Sequence, residues 1–210
     1  MYWDYANHLK SIHEIAKIPA EVCDIIVKYV IDDTTISNNL VLSSENGHLE
    51  VVKYLHENGA DILAQDNLAV INACLNGHLE VVKYLHQNGA NIKVQDNEPV
   101  SLASMFGHLE VVKYLHENGA DITSRDNDAV IWASQNGYLE VVNYLHENGA
   151  DILAQNNRAV VMASNNNYLE VVKYLHQNGA DIFVQNNRAV ILAFDNGHYQ
   201  VVNYLYTHIF

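Results

Sequence analysis

Residues 47–61 read GHLEVVKYLHENGAD, residues 107–121 repeat that string without a change, and close variants fill the intervals between and after them. Aligned on the step VV-x-Y-L, the copies fall at Val51–Leu55, Val81–Leu85, Val111–Leu115, Val141–Leu145, Val171–Leu175 and Val201–Leu205. That is six copies at a period of 30, with no insertion or deletion between them. A fixed period of roughly 20–50 residues marks a solenoid, in which no unit buries its own apolar face and each stacks on its neighbours. The period overrides the one or two compact domains that a 210-residue chain would otherwise suggest. It predicts a long surface without a single deep cleft.

One unit, Asp66 to Gln95, shows how the repeat is built. Asn67 can cap a helix, because its side-chain oxygen can accept from the orphan N–H groups of a first turn. The next copy agrees: Asn97-Glu98-Pro99 places proline in the first helical turn, where its missing N–H costs nothing. Val70, Ala73 and Cys74 follow at i, i+3 and i+4, one buried face of a short helix. Small residues recur at Ala73, Ala103, Ala133, Ala163 and Ala193, as close helix packing requires. Asn76-Gly77 ends this helix, with the glycine free to turn left-handed. A second helix is predicted from about His78 to Asn88. Its apolar face is Leu79, Val81, Val82, Tyr84 and Leu85, while Glu80 and Lys83 sit on the wet side. Gly89 closes it, and Ala90 to Gln95 connects to the next unit.

This helix–turn–helix unit resembles the ankyrin repeat. The resemblance rests on GHLEVVKYL followed by ENGAD or QNGAD and covers residues 38–210. It implies an all-α solenoid that works as a protein–protein interaction scaffold. One departure stands out: the usual ankyrin unit has about 33 residues and opens its first helix with a TPLH-type element. Here the period is 30 and those positions read LAVI, EPVS, DAVI, RAVV and RAVI, so the projecting hairpin should shrink to a loop. Compact units of this kind resemble those in large families of giant DNA viruses of amoebae. That resemblance implies the cytoplasm of a host cell as the place of action.

Composition narrows the function further. A formal charge of −14, with only 11 scattered Lys and Arg, argues against nucleic acid, since phosphate binding needs clustered cations. No apolar run approaches the ~20 residues needed to span a bilayer. The start, MYWDYANHLK, lacks the cationic and apolar regions of a secretory signal. Cys23 and Cys74 stand apart, offering neither a disulfide framework nor a metal-binding pair. Residues 1–37 are expected to form an N-terminal helical cap on the array. Within them, Val22, Ile25, Ile26, Tyr29 and Val30 follow a helical stripe behind Pro19. Two readings of residues 18–30 stand side by side. One is a degenerate capping helix. The other is a truncated F-box-like helix, by resemblance, that would make the protein a substrate-recruiting adaptor of a ubiquitin ligase.

Twelve histidines invite a metal or catalytic reading. They form two columns: His48, His78, His108 and His198, then His56, His86, His116, His146 and His176. Packed helices lie about 8–10 Å apart, too far for column neighbours to share a zinc held at about 2 Å per ligand. A catalytic residue is needed once, whereas these recur per unit. No enzyme, cofactor or metal site is expected. The resemblance puts the second column where ankyrin units usually carry a packed leucine. Buried neutral imidazoles there would have a folded pKa below ~6.5, so stability would fall with pH, unless a nearby carboxylate reversed the shift.

The expected working surface lies where the copies differ. Positions 75, 105, 135 and 165 read Leu75, Met105, Gln135 and Asn165, and Phe106 follows Met105. By resemblance these line the groove of the array; Met105 and Phe106 either form an exposed apolar spot or pack on a neighbouring helix. Trp132, in one column with Asn72, Leu102, Met162 and Leu192, is read as inter-helix packing. Along the other edge the charge changes sign: Asp66, Asp96 with Glu98, and Asp126 with Asp128 give way to Arg158 and Arg188. Asp128 is placed to pair with Arg158 from the preceding unit. The partner is expected to be another protein, with an acidic segment along repeats four and five, bound by a monomeric chain.

Overall fold

The computed structural model describes residues 33–208, which form twelve helices. In chain order these are α1 (Asp33–Glu45), α2 (Leu49–Glu57), α3 (Ala64–Leu75), α4 (Leu79–Gln87), α5 (Val94–Met105) and α6 (Leu109–Glu117). They continue as α7 (Ser124–Gln135), α8 (Leu139–Glu147), α9 (Ala154–Asn165), α10 (Leu169–Gln177), α11 (Val184–Asp195) and α12 (Tyr199–Thr207). Odd-numbered helices are the first helices of six repeats and even-numbered ones the second. Each first helix packs on the first helices before and after it, and the second helices stack likewise. The described residues contain no strand. The fold is an all-α repeat solenoid. The two readings of residues 18–30 lie outside the described residues, and the expected array start at residue 38 falls inside α1.

Burial follows the period. In α4, Val81, Val82 and Leu85 are buried while Leu79 and Tyr84 are half-buried against them. A buried Leu or Val side chain contributes about 1.5–3 kcal/mol, so three per helix define which face turns inward. Glu80 and Lys83 pair across the wet side at 2.7 Å, as their equivalents do in α2, α6 and α10. These pairs are solvent-exposed and contribute at most about 1 kcal/mol each. On the first helices, the alanine column from Ala73 to Ala193 is fully buried. So are Ser44, Cys74, Ser104, Ser134 and Ser164, one residue further on. The expected close approach of first helices is thus carried by two adjacent small-residue columns. In the last repeat the second column changes to Phe194, which is 61% exposed.

The turn after each first helix is stricter than a free glycine requires. Gly77 has φ +76, and a Cβ placed there would collide with the His108 ring; Gly47, Gly107 and Gly137 lie in the same way under His78, Tyr138 and Tyr168. The ring of one repeat therefore seats on the bare glycine of the previous one. The imidazoles also close a helix end: Nε2 of His78, His108 and His198 lies 2.9, 2.9 and 3.0 Å from the carbonyls of Glu45, Leu75 and Asn165. Those carbonyls have no partner inside their own helices.

The start of the first helix departs from expectation. Asn67 is not an N-cap. Gln65, Asp66 and Asn67 all have positive φ (53, 56 and 66°), and equivalent triplets recur at 95–97, 125–127 and 155–157. The right-handed helix begins only after this left-handed turn, which is closed by Asn67 N–H donating to Leu63 O at 3.1 Å. Left-handed residues cost roughly 1–2 kcal/mol each, least for Asn and Asp, which explains Asp-Asn and Asn-Asn at these positions. The Asn67 side chain faces forward and not into its own helix. Its Oδ1 accepts the N–H of Asn91 at 2.8 Å, and Asn97, Asn127 and Asn157 hold Asp121, Asp151 and Asp181 at 2.8–2.9 Å. In the first repeat, Ser37 Oγ does the same for Asp61. One asparagine therefore fixes both its own turn and the next connection, where Ala90 and Ile92 are buried.

Asn127 separates the two contributions. Asn127→Gly keeps the left-handed backbone and loses the bond to Asp151, and should cost about 1 kcal/mol. Asn127→Ala loses both and should cost about 2–3 kcal/mol. Urea unfolding monitored by circular dichroism measures the two; equal losses would contradict the strained-turn account.

Candidate functional site

Each first helix turns one polar-to-apolar stripe outward at i, i+4 and i+7. The stripes are Leu68, Asn72, Leu75; Glu98, Leu102, Met105; Asp128, Trp132, Gln135; Arg158, Met162, Asn165; and Arg188, Leu192, Asp195. All fifteen are half-buried except Arg158, Arg188 and Asp195, which are exposed. Stacking sets the stripes side by side and makes one continuous face. Seven of the eight expected site residues lie on it: Leu75, Glu98, Met105, Asp128, Gln135, Arg158 and Arg188. Phe106, 43% exposed, flanks it in the turn after α5. Met105 is half-buried, so the expected apolar spot is centred on Phe106. Met162 and Leu192 pack against the core from this same face, so the middle row of the stripes takes part in both packing and surface.

At one edge the charges fall as the sequence orders them. Arg158 and Arg188 line a single cavity of about 210 Å³ together with Gln155, Val161 and Met162. Gln155, which the sequence reading left out, organises its rim. Arg158 Nη1 donates to Gln155 Oε1 at 2.7 Å, and Gln155 Nε2 lies 3.4 Å from Asp128 Oδ1 and 3.1 Å from the Asp126 carbonyl. The expected Asp128–Arg158 ion pair is thus replaced by an amide bridge: glutamine spans the repeat junction that the two charged side chains do not close. Arg188 has no hydrogen bond or ion pair among the described residues. Gln65, three repeats earlier, bridges to Asn38 Oδ1 at 2.6 Å beside a second cavity of about 300 Å³ between α1 and α3. The i, i+3 spacing of Gln155 and Arg158 was the available signal for the bridge.

The second histidine column is paired, not packed away. Nδ1 of His56, His86, His116, His146 and His176 lies 2.8–2.9 Å from the hydroxyl of Tyr84, Tyr114, Tyr144, Tyr174 and Tyr204 in the following repeat. The rings meet edge to face at 5.8 Å. Burial raises the pKa of all five tyrosines above the ordinary phenol value. They stay protonated and donate wherever Nδ1 carries no proton. The condition of buried imidazoles is thus not met: the column is half-buried and hydrogen-bonded. The pKa of His176 is lowered, by burial first and then by the neighbouring His208, whose ring centre is 5.0 Å away. Cys74 is completely buried and its thiol pKa is pushed far up, which makes it a packing group and not a nucleophile. Among the described residues no group of His, Cys, Asp and Glu could hold a metal ion, and no helix is long and apolar enough to cross a membrane.

With this geometry in hand, comparison with known families agrees with the architecture. The family model for ankyrin repeats (3 copies) matches residues 40–126, 70–156 and 130–209. The chain belongs to the ankyrin-repeat family. A search of curated proteins found no match. Ankyrin repeats are generally protein–protein interaction modules, and proteins built from them are typically non-catalytic.

Two outcomes follow from the ladder. Tyr144→Phe removes one hydroxyl from a half-buried imidazole and should destabilise by about 1 kcal/mol, read from chemical unfolding. For pH, the lowered folded pKa of His176 means that its protonation favours the unfolded chain. Its contribution is complete above the unfolded value near 6.5 and is lost as pH falls from there through the folded value. The His176→Gln variant should therefore lose less melting temperature than the parent between about pH 7.5 and about pH 5.5. A steeper loss in the variant would reverse the sign.

Proposed function

We propose that the protein is a non-catalytic scaffold whose protein partner lies across the first-helix face. The partner presses apolar side chains onto the middle row around Trp132 and Met162 and sets an acidic segment against Arg158 and Arg188. The observation that carries this reading is the shared cavity: two arginines from adjacent repeats line one hollow with Gln155, Val161 and Met162, and Arg188 has no ion pair among the described residues. Guanidinium groups engage carboxylates bidentately and supply specificity as well as energy. The acidic repeats before them, with Glu98 and Asp128 on the same face, repel an acidic segment and so fix its register along the array. The family supports a protein partner, and the net charge of −14 makes a local cationic site stand out against an acidic surface.

Affinity capture from cells followed by mass spectrometry identifies the partner, and titration of the purified pair tests the site. Arg158→Glu with Arg188→Glu should weaken binding about 100-fold or more, as expected when charge-assisted contacts become repulsive. Helicity and melting temperature should hardly change, because both side chains are exposed. If the double variant binds like the parent, the edge is solvated charge and the surface around Met105 and Phe106 carries the interaction.

A further inference from the structure

Nine of the ten glycines follow an asparagine, and Asn-Gly is the dipeptide in which an asparagine side chain is most easily attacked by its own backbone. The glycine nitrogen bonds to the asparagine Cγ as the Cγ–Nδ2 bond breaks. The proton from the glycine N–H leaves with the amine as ammonia. Water then opens the resulting five-membered imide at either carbonyl, giving aspartate or isoaspartate. The sequence makes these nine sites nearly equivalent. The fold does not.

Five of them, Asn58, Asn88, Asn118, Asn148 and Asn178, end the second helices. Four, Asn46, Asn76, Asn136 and Asn196, end the first helices. Both classes share the same local bonds. Every Asn Nδ2 donates to the carbonyl four residues back at 2.7–2.9 Å. Every following glycine N–H donates to the carbonyl three residues back, at 2.9–3.1 Å after the second helices and 2.9–3.3 Å after the first. What differs is room. Imide closure swings the glycine nitrogen toward Cγ and carries the glycine Cα with it. After the second helices the glycines are exposed, with no atom within 4 Å of a Cβ direction at Gly59, Gly89, Gly149 and Gly179, and only the tip of Lys93 at Gly119. After the first helices, Gly47, Gly77 and Gly137 lie under the rings of His78, His108 and Tyr168, so closure must displace a ring seated by the next repeat. For His78 and His108 it must also break the bond to Glu45 O or Leu75 O. Gly197 has no such cover.

We propose that the folded protein deamidates at the five turns after the second helices and at Asn196, while the neighbouring repeat protects Asn46, Asn76 and Asn136. The conversion matters for the array. It removes the amide that caps the carbonyl of Tyr54, Tyr84, Tyr114, Tyr144 or Tyr174, and it adds a carboxylate at the negative end of a helix dipole. Four of these tyrosines, all but Tyr54, also hold the histidine of the preceding repeat.

Full-length protein is held at mildly alkaline pH, folded or in denaturant, and digests are mapped by mass spectrometry with isoaspartate detected enzymatically. In denaturant all nine sites should react at similar rates. In the folded protein the six open sites should exceed Asn46, Asn76 and Asn136 by about tenfold or more. A second arm uses His108→Ala, with folding checked by circular dichroism. Uncovering Gly77 should raise reaction at Asn76 while leaving Asn46, still under His78, unchanged. Equal rates at all nine sites in the folded protein, no reaction at the open ones, or no rise at Asn76 in the variant would each overturn the proposal.

Discussion

The constraint that governs the structure is that polar groups left over at the ends of one repeat's helices and in its connection find their partners one repeat away. Three kinds of bond do this, at fixed sequence separations of 24, 28 and 33 residues: asparagine to connection N–H, histidine to tyrosine, and imidazole to helix-end carbonyl. Each is modest in isolation, about 1 kcal/mol. The first two recur along the array, with Ser37 in place of asparagine at the first junction, and the third closes three junctions; together they hold the stacking register that the hydrophobic columns alone would leave free to slide. The left-handed Asn turn shows what this register is worth. The chain accepts strain in three consecutive residues to present one side-chain oxygen to its neighbour.

The same register builds the candidate binding face. Because first helices stack without offset, residues 30 apart become lateral neighbours, and a charge pattern written along the sequence becomes a pattern across a surface. Arg158 and Arg188 share a cavity for this reason alone. The face is shallow and continuous, suited to an extended or helical partner segment, and it contrasts with the enclosed hollow a small-molecule site requires. The amide bridge from Gln155 to Asp128 and Arg158 keeps the acidic and basic halves of the edge from neutralising each other at the junction.

Much of this was legible from sequence because periodicity repeats the same evidence six times. The two helices, their apolar faces and the glycine turns all followed from spacing and residue type, and the family from the resemblance carried by GHLEVVKYL and ENGAD. The asparagine at the helix start was misread because a side-chain oxygen there can accept from its own first turn or from the next repeat; local sequence does not distinguish the two. The pairing of the histidine column was hidden for a similar reason. Tyr and His recur two residues apart in the first five second helices, yet the bonds between the two types run across a junction 28 residues long. For Arg158 a partner was sought among carboxylates, and the structure gives it a neutral glutamine three residues away. In each case the error concerns which neighbour a polar group faces, information that arises only once repeats are stacked.

The fixed separations of the cross-repeat bonds have a consequence for how such a chain can change length. Removing or duplicating a block of 30 residues at an interior junction leaves the 24- and 28-residue pairings intact, because the same residue types reappear in those slots. An insertion of one residue between Asn67 and Asn91 spoils the pairing at that junction. Gene-level rearrangement is therefore tolerated in whole units and resisted in fractions of them. The identity of residues 47–61 and 107–121 is consistent with that rule. The bonding ladder works as a ruler for recombination as well as a source of stability.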